Sequence, residues 1–202
     1  SIGTLGIKYN DKIIKTSLTS PDTITLHKNL DYLKSKKVNN VIIEASSHGL
    51  DQKRLHHIKF KGAIFTNFSR DHLDYHRTMK SYLNAKLILF RKILSKKSTI
   101  ISNDEIPTFK ILNQIAKKKN LRISNINKTI KKIKNIDFKS NEDFKIRNLA
   151  MAVEAAKLCG LKEKLIFSSL KKLKNVSGRL ELVKIYPNAA KVFVDYAHTP
   201  DA

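Results

Sequence analysis

An α/β fold, with a mostly parallel sheet flanked by helices, is the class this 202-residue sequence predicts. Two observations carry that expectation. The first is a pair of short, β-rich apolar runs, Val41-Ile42-Ile43 and Ala63-Ile64-Phe65, typical of strands buried on both faces. The second is rhythm: strand-like runs alternate with stretches of helical spacing, as in βαβ units. Each apolar run stops at a polar cluster, Glu44 to Arg54 after the first and Thr66 to His76 after the second. Ligands of open α/β sheets bind beyond the carboxyl ends of the strands, so both clusters are expected at one site.

Taken in order, Ile2 to Ile7 and Lys12 to Lys15 read as strands around the turn Tyr9-Asn10-Asp11. Thr16 to Asp22 is a polar loop, and Pro21 opens a helix with Leu26, Leu30 and Leu33 on one face. Val41 begins the first core strand. Thr78 to Leu94 is a strong helix. Thr99 to Ser102 is a strand, and Pro107 fits the first turn of a helix running to about Lys119. Residues 120 to 142, rich in lysine, asparagine and isoleucine, carry only weak strand signals. Asp143 to Leu158 is a helix stopped by Gly160, and Lys162 to Leu173 is another. After the turn Asn175 to Gly178, Arg179 to Tyr186 and Lys191 to Tyr196 are strands joined at Pro187-Asn188.

A net charge of +23 raises a nucleic-acid partner as one reading. Only seven of the 40 basic residues are arginine, the favoured reader of bases, and no aromatic residues interleave with the lysine clusters. Lysine-rich codon usage is the better account, and a polyanionic small substrate suits a basic face equally well. The lone Cys159 rules out an internal disulfide and fits a reducing, cytoplasmic setting. No apolar run approaches the roughly 18 residues a membrane span needs.

Two features look chemical. Advancing roughly 100° per residue, Lys86 falls at the centre of an apolar stripe made by Met79, Tyr82, Leu83, Phe90 and Ile93. Lysine is seldom buried without a reason; the alternatives are a snorkelling side chain and a lysine neutralised or modified at a site. The run Asp71-His72-Leu73-Asp74-Tyr75-His76 admits three readings: a zinc site through His72 and His76, a magnesium site, or a polar loop packed by hydrogen bonds. The H-E-x-x-H signature is absent, and so is the G-x-S-x-G nucleophile elbow around Ser46-Ser47-His48-Gly49.

Read together, Glu44-Ala45-Ser46-Ser47-His48-Gly49-Leu50, Ser69-Arg70-Asp71-His72-Leu73-Asp74-Tyr75-His76, Gly178-Arg179 and Asp195-Tyr196-Ala197-His198-Thr199-Pro200-Asp201 carry a specific resemblance. In that order they resemble the motifs of the Mur ligases, in particular the type that adds the third residue of the peptidoglycan stem peptide. The resemblance spans nearly the whole chain. It implies an ATP-dependent, ADP-forming amide ligase that joins meso-diaminopimelate or lysine to UDP-N-acetylmuramoyl-L-alanyl-D-glutamate through an acyl phosphate, as a monomer in the cytoplasm. It also implies a part in cell-wall biogenesis, and so in cell shape and division. Thr19, Ser20, Ser46, Gln52 and Arg54 are implied to hold the UDP-muramoyl dipeptide. Glu44 and His72 are implied to hold magnesium, with Lys86 as a carbamate supporting the metal. Asn148, Arg179, Asp195 and His198 are implied to contact ATP. The fold implied is the family's central domain over residues 1–182, followed by the start of its C-terminal domain over 183–202.

Three departures accompany the resemblance. None of the six glycines forms a G-x-x-x-x-G-K-[ST] phosphate loop, which in the family lies shortly before the position of Ser1. Residues 124 to 143 are shorter than the family's accessory strands, and Lys145 stands where an asparagine is expected. The chain is expected to be a piece cut at both ends and inactive alone. A metal-dependent hydrolase using Asp71, His72, Asp74 and His76 is the rival enzyme class, and a basic nucleic-acid-binding module the rival binding class.

Overall fold

The computed structural model describes residues 1–136, 142–173 and 176–198. Its first unit is a small antiparallel sheet of β1 (Ile2–Gly3), β2 (Gly6–Tyr9) and β3 (Lys12–Ile14). The expected single strand over Ile2 to Ile7 is therefore two. The chain reverses between Gly3 and Gly6, and Gly6 supplies the left-handed φ of +92° that this reversal needs. Helix α1 (Thr23–Ser35) follows, its N-cap Asp22 accepting from the Thr25 N–H, with Leu26 and Leu33 buried as their spacing predicts.

Val41–Ile43 departs from the expectation of a strand within the parallel sheet. It makes one parallel bridge, Ile43 to Ile2, framed by Ile2 N–H to Ile42 O at 2.9 Å and Glu44 N–H to Ile2 O at 2.8 Å. Its pairing thus goes to the antiparallel unit, and its other edge faces a cavity.

The parallel sheet runs in the order β4 (Gly62–Ile64), β5 (Thr99–Ser102) and β6 (Arg122–Asn125). All four residues of β5 are buried. Neighbouring side chains along a strand point to opposite faces. Ile100 accordingly enters the core with Leu112, Ile115 and Phe90, and Ile101 enters the core with Ile146, Ala150 and Val153. The first face is covered by α5 (Phe109–Lys119) and by the helix α4 (Met79–Ile88), which continues as a π-helical turn over Leu89–Ile93. The second is covered by α7 (Asp143–Leu158), with α6 (Asn127–Lys134) and α8 (Glu163–Leu170) packed on it. Gly62 permits the close approach of α7: a Cβ there would lie 2.5 Å from Leu158 Cδ2 and 2.6 Å from the Thr99 carbonyl oxygen.

The weak signals over 120 to 142 resolve into β6 and α6, and residues 137–141 lie outside the described set. Ile126, Ile130 and Ile133, at helical spacing, seat α6 on the second core. Glu154 of α7 accepts from Ser124 Oγ at 2.6 Å, Thr129 Oγ1 at 2.5 Å and Lys157 Nζ at 3.0 Å. Burial alone would push its carboxyl up, but these bonds outweigh burial and hold it below the usual value. The chain then forms an antiparallel hairpin of β7 (Glu181–Ile185) and β8 (Lys191–Val194). The expected domain boundary at 182/183 falls inside β7.

Candidate active site

A cavity of about 1,100 Å³ lies between the 41–48 segment and the 62–67 segment. Thr19, Glu44, Ser46, Arg54, His72, Lys86, Arg179 and His198 all line it. Two apolar runs thus deliver their polar ends to one place even though only one of them belongs to the parallel sheet.

On the first side, Ser46 caps α2 (Ser47–Asp51), a short helix the sequence reading did not anticipate, by accepting from the Gly49 N–H at 3.0 Å. Ser20 is fully buried; its hydroxyl donates to the Glu44 carbonyl oxygen at 2.8 Å and accepts from the Ser46 N–H at 2.9 Å. That clamp fixes the polar loop before α1 against the strand end. Arg54 donates through Nη1 to the Ser20 carbonyl oxygen at 2.8 Å and through Nη2 to Gln52 Oε1. Glu44 Oε2 accepts from the backbone N–H and hydroxyl of Thr4, at 2.8 and 2.9 Å. The carboxylate lies over Gly3, where a Cβ would come 2.6 Å from Oε2.

On the other side, His72 adopts a left-handed φ of +52° just before α3 (Leu73–His76). Asp71 Oδ1 accepts from the His72 N–H at 2.8 Å, and Asp71 Oδ2 lies 3.4 Å from His72 Nε2 and 3.9 Å from His198 Nε2. Five rings crowd the centre. His48 packs at 5.1 Å from His72, 4.1 Å from Tyr75 and 5.4 Å from His76, and His76 stacks on Tyr82 at 5.3 Å. Burial, and then the neighbouring His72, lower the His48 pKa; burial, and then His48, do the same for His76. Burial, aided by the charge of Asp71, raises the Tyr82 phenol to about 12.

Lys86 sits in the apolar stripe as its spacing predicts, half-buried, with Nζ 4.9 Å from the centroid of the Tyr82 ring. Burial lowers its pKa, partly opposed by the negative charge of Asp71. A desolvated lysine is readier than a solvated one to give up its proton.

Among the described residues no three His, Cys, Asp or Glu groups come together as a metal cage. The protein-only zinc site raised for His72 and His76 is not formed, because His76 Nε2 is turned to the buried hydroxyl of Ser47, 2.9 Å away. His72 and His76 therefore do not present their nitrogens to one ion, and nothing among the described residues favours the hydrolase reading. Glu44 and His72 both line the cavity, and the Glu44 carboxylate is the type of ligand magnesium takes, keeping several waters alongside substrate phosphates.

Two expected nucleotide contacts stand apart. Asn148 is exposed on α7 and Asp195 follows β8, and neither lines the cavity. Arg179 does, its guanidinium 4.5 Å from the Tyr196 ring centroid. Thr199 to Asp201 and Asn175 lie outside the described residues. Ser47, His48, Asp51 and Tyr75 take part in the site's bonds or ring contacts without having been singled out from sequence. Ser47, His48 and Tyr75 lie inside the quoted motif runs and Asp51 directly follows one, although no role was assigned to them.

Residues 1–161 match the Mur ligase middle domain. The whole chain aligns at 35% identity with the UDP-N-acetylmuramoyl-L-alanyl-D-glutamate--2,6-diaminopimelate ligase of Rhizobium meliloti (strain 1021), covering 46% of that protein. It aligns at 37% identity with the ligase of the same name from Aquifex aeolicus (strain VF5), covering 44% of it, and at 35% with that of Rickettsia bellii (strain RML369-C), covering 47%. The chain thus spans about half the length of the curated relatives it matches. A solved structure of a protein bearing this name superposes with a TM-score of 0.70 at 24% identity, over 98% of this chain and 45% of that one, a likeness of fold.

Proposed function

The chain belongs to the Mur ligase family, through its middle domain, and on that premise we propose that it is the central, substrate- and nucleotide-binding part of an ATP-dependent ligase. The reaction proposed joins a diamino acid, meso-diaminopimelate or lysine, to UDP-N-acetylmuramoyl-L-alanyl-D-glutamate. The observation that carries the reading is the convergence on one cavity of Thr19, Ser46 and Arg54 with Glu44, His72 and Lys86. A neutral-sugar or apolar substrate would have no use for that set of charges.

Each residue type has a task in such chemistry. A substrate carboxylate must come within reach of a triphosphate, and the two repel, so cationic groups must align them. Arg54 offers a planar fork for a phosphate or carboxylate of the precursor, with Thr19 and Ser46 as neutral partners at the cavity. Ser20 and Gln52, expected as contacts, do not line it and instead hold the Arg54 guanidinium from behind. ATP would supply the γ-phosphoryl group that turns the carboxylate into an acyl phosphate, with ADP leaving, and the incoming amine would then displace phosphate; magnesium would supply neutralisation of the phosphate charge. Glu44 and His72 are the proposed magnesium ligands. Lys86, as the free amine, adds to carbon dioxide and loses a proton to become a carbamate. That would convert a half-buried cation into an anion, a charge that would favour a cation held by Glu44 and His72. Arg179 and His198 at the cavity, with Asp195 and Asn148 further away, are the proposed nucleotide contacts. Division into a central domain over 1–182 and the start of a C-terminal domain over 183–202 belongs to the same reading.

Calorimetric titration of the chain with UDP-N-acetylmuramoyl-L-alanyl-D-glutamate tests the site. Saturable binding that UDP-N-acetylglucosamine does not reproduce is expected. Equal affinity for both compounds would mean that the dipeptide plays no part and would overturn the proposal.

A further inference from the structure

The hydrogen bonds next to Arg54 form a directed line that the motif residues alone do not explain. The Tyr75 hydroxyl donates to Asp51 Oδ2 at 3.0 Å. A phenol carries one proton, so with that proton committed its oxygen can only accept. It accepts from Gln52 Nε2 at 3.2 Å. An amide held by its NH2 end turns its carbonyl oxygen the other way, and Arg54 Nη2 donates to that oxygen. A reversed amide would set donor against donor. The second guanidinium nitrogen, Nη1, is anchored on the Ser20 carbonyl. These two bonds use two of the five N–H donors an arginine carries and leave three for a ligand.

We infer that Tyr75 is a positioning residue for the precursor site: anchored on Asp51, it sets the orientation of the Gln52 amide and, through it, holds the Arg54 guanidinium ready for an anionic group of the substrate. The inference rests on the proposed function, which makes Arg54 an anion-binding group. The ring of Tyr75 is held independently of its hydroxyl, 4.1 Å from the His48 centroid and edge-on to His76 at 4.7 Å. Tyr75→Phe therefore deletes the hydrogen bonds and keeps the packing.

Two measurements test it. In nitrogen-15 spectra of the ligand-free chain, Tyr75→Phe should shift the Gln52 side-chain amide and accelerate solvent exchange of the Arg54 Nε proton. In titrations with UDP-N-acetylmuramoyl-L-alanyl-D-glutamate, Tyr75→Phe should weaken binding about three- to tenfold, the size expected for one hydrogen bond. In a Gln52→Ala background the same substitution should cost nothing further, since Tyr75 acts through Gln52. Unchanged Arg54 exchange, or losses from Tyr75→Phe and Gln52→Ala that simply add, would overturn the inference. Failure of the unsubstituted chain to bind the precursor, with Arg54 still loosened by Tyr75→Phe, would instead overturn the precursor reading and this residue's role in it.

Discussion

His76 Nε2 and Ser47 Oγ lie 2.9 Å apart, both side chains being more than nine-tenths buried. This pair joins α2, which starts beside Ser46, to α3, which starts beside His72. It therefore spaces the proposed precursor contacts from the proposed metal ligand. Deleting one partner leaves the other buried and unsatisfied, at a cost of about 1–3 kcal/mol. Ser47→Ala should lower stability by that amount in urea unfolding, with the slope unchanged. A loss below about 0.5 kcal/mol would mean that the contact contributes no more than an ordinary surface position.

Glu154 makes a pH-dependent contribution. Its carboxyl is held below the usual value in the folded chain, so the unfolded chain binds the proton more readily. The stability it contributes is present above the ordinary glutamate value and is lost as pH falls through the folded pKa. Urea midpoints measured from pH 6 down to pH 3 should fall less steeply for Glu154→Gln than for the parent chain. Parallel curves would contradict the assignment.

Much of this was legible in the sequence where a periodic pattern coincided with a stop signal. β5 and α7 have their expected bounds, because the β-branched run Thr99-Ile100-Ile101 favours a buried strand and Gly160 ends α7 with a φ of +91°. Lys86 was legible for the same reason: a charge inside an apolar stripe is visible on a helical wheel. α6 was not, although Ile126, Ile130 and Ile133 carry the right spacing, because lysine and asparagine dominate the segment. Val41–Ile43 was read as a strand of the parallel sheet, and only tertiary pairing decides that it bridges Ile2 instead. The bonds of Tyr75 to Asp51 and Gln52 cross 24 and 23 residues of sequence, a separation at which no local pattern operates.

Arg54→Ala should weaken the UDP-precursor about 10- to 150-fold, the range for hydrogen bonds to a charged group, and leave nucleotide affinity unchanged. Paired titrations in the natural full-length protein separate the two ligands. Equal losses would show that the residue maintains the fold and does not contact the precursor.

Lys86→Arg should abolish turnover in the full-length protein with the fold retained, since arginine cannot form the carbamate anion. Lys86→Ala should lose turnover too and regain part of it with added short-chain carboxylate. Circular dichroism and a steady-state assay check both. Near-parental turnover of Lys86→Arg would leave Lys86 as a snorkelling helix residue.

The central claim is ligation, and release of ADP by the natural full-length protein tests it most directly. ADP should form from ATP and magnesium only when UDP-N-acetylmuramoyl-L-alanyl-D-glutamate and a diamino acid are both present, in step with the UDP-tripeptide product. Phosphate release that is indifferent to the diamino acid, with no new amide bond, would contradict it.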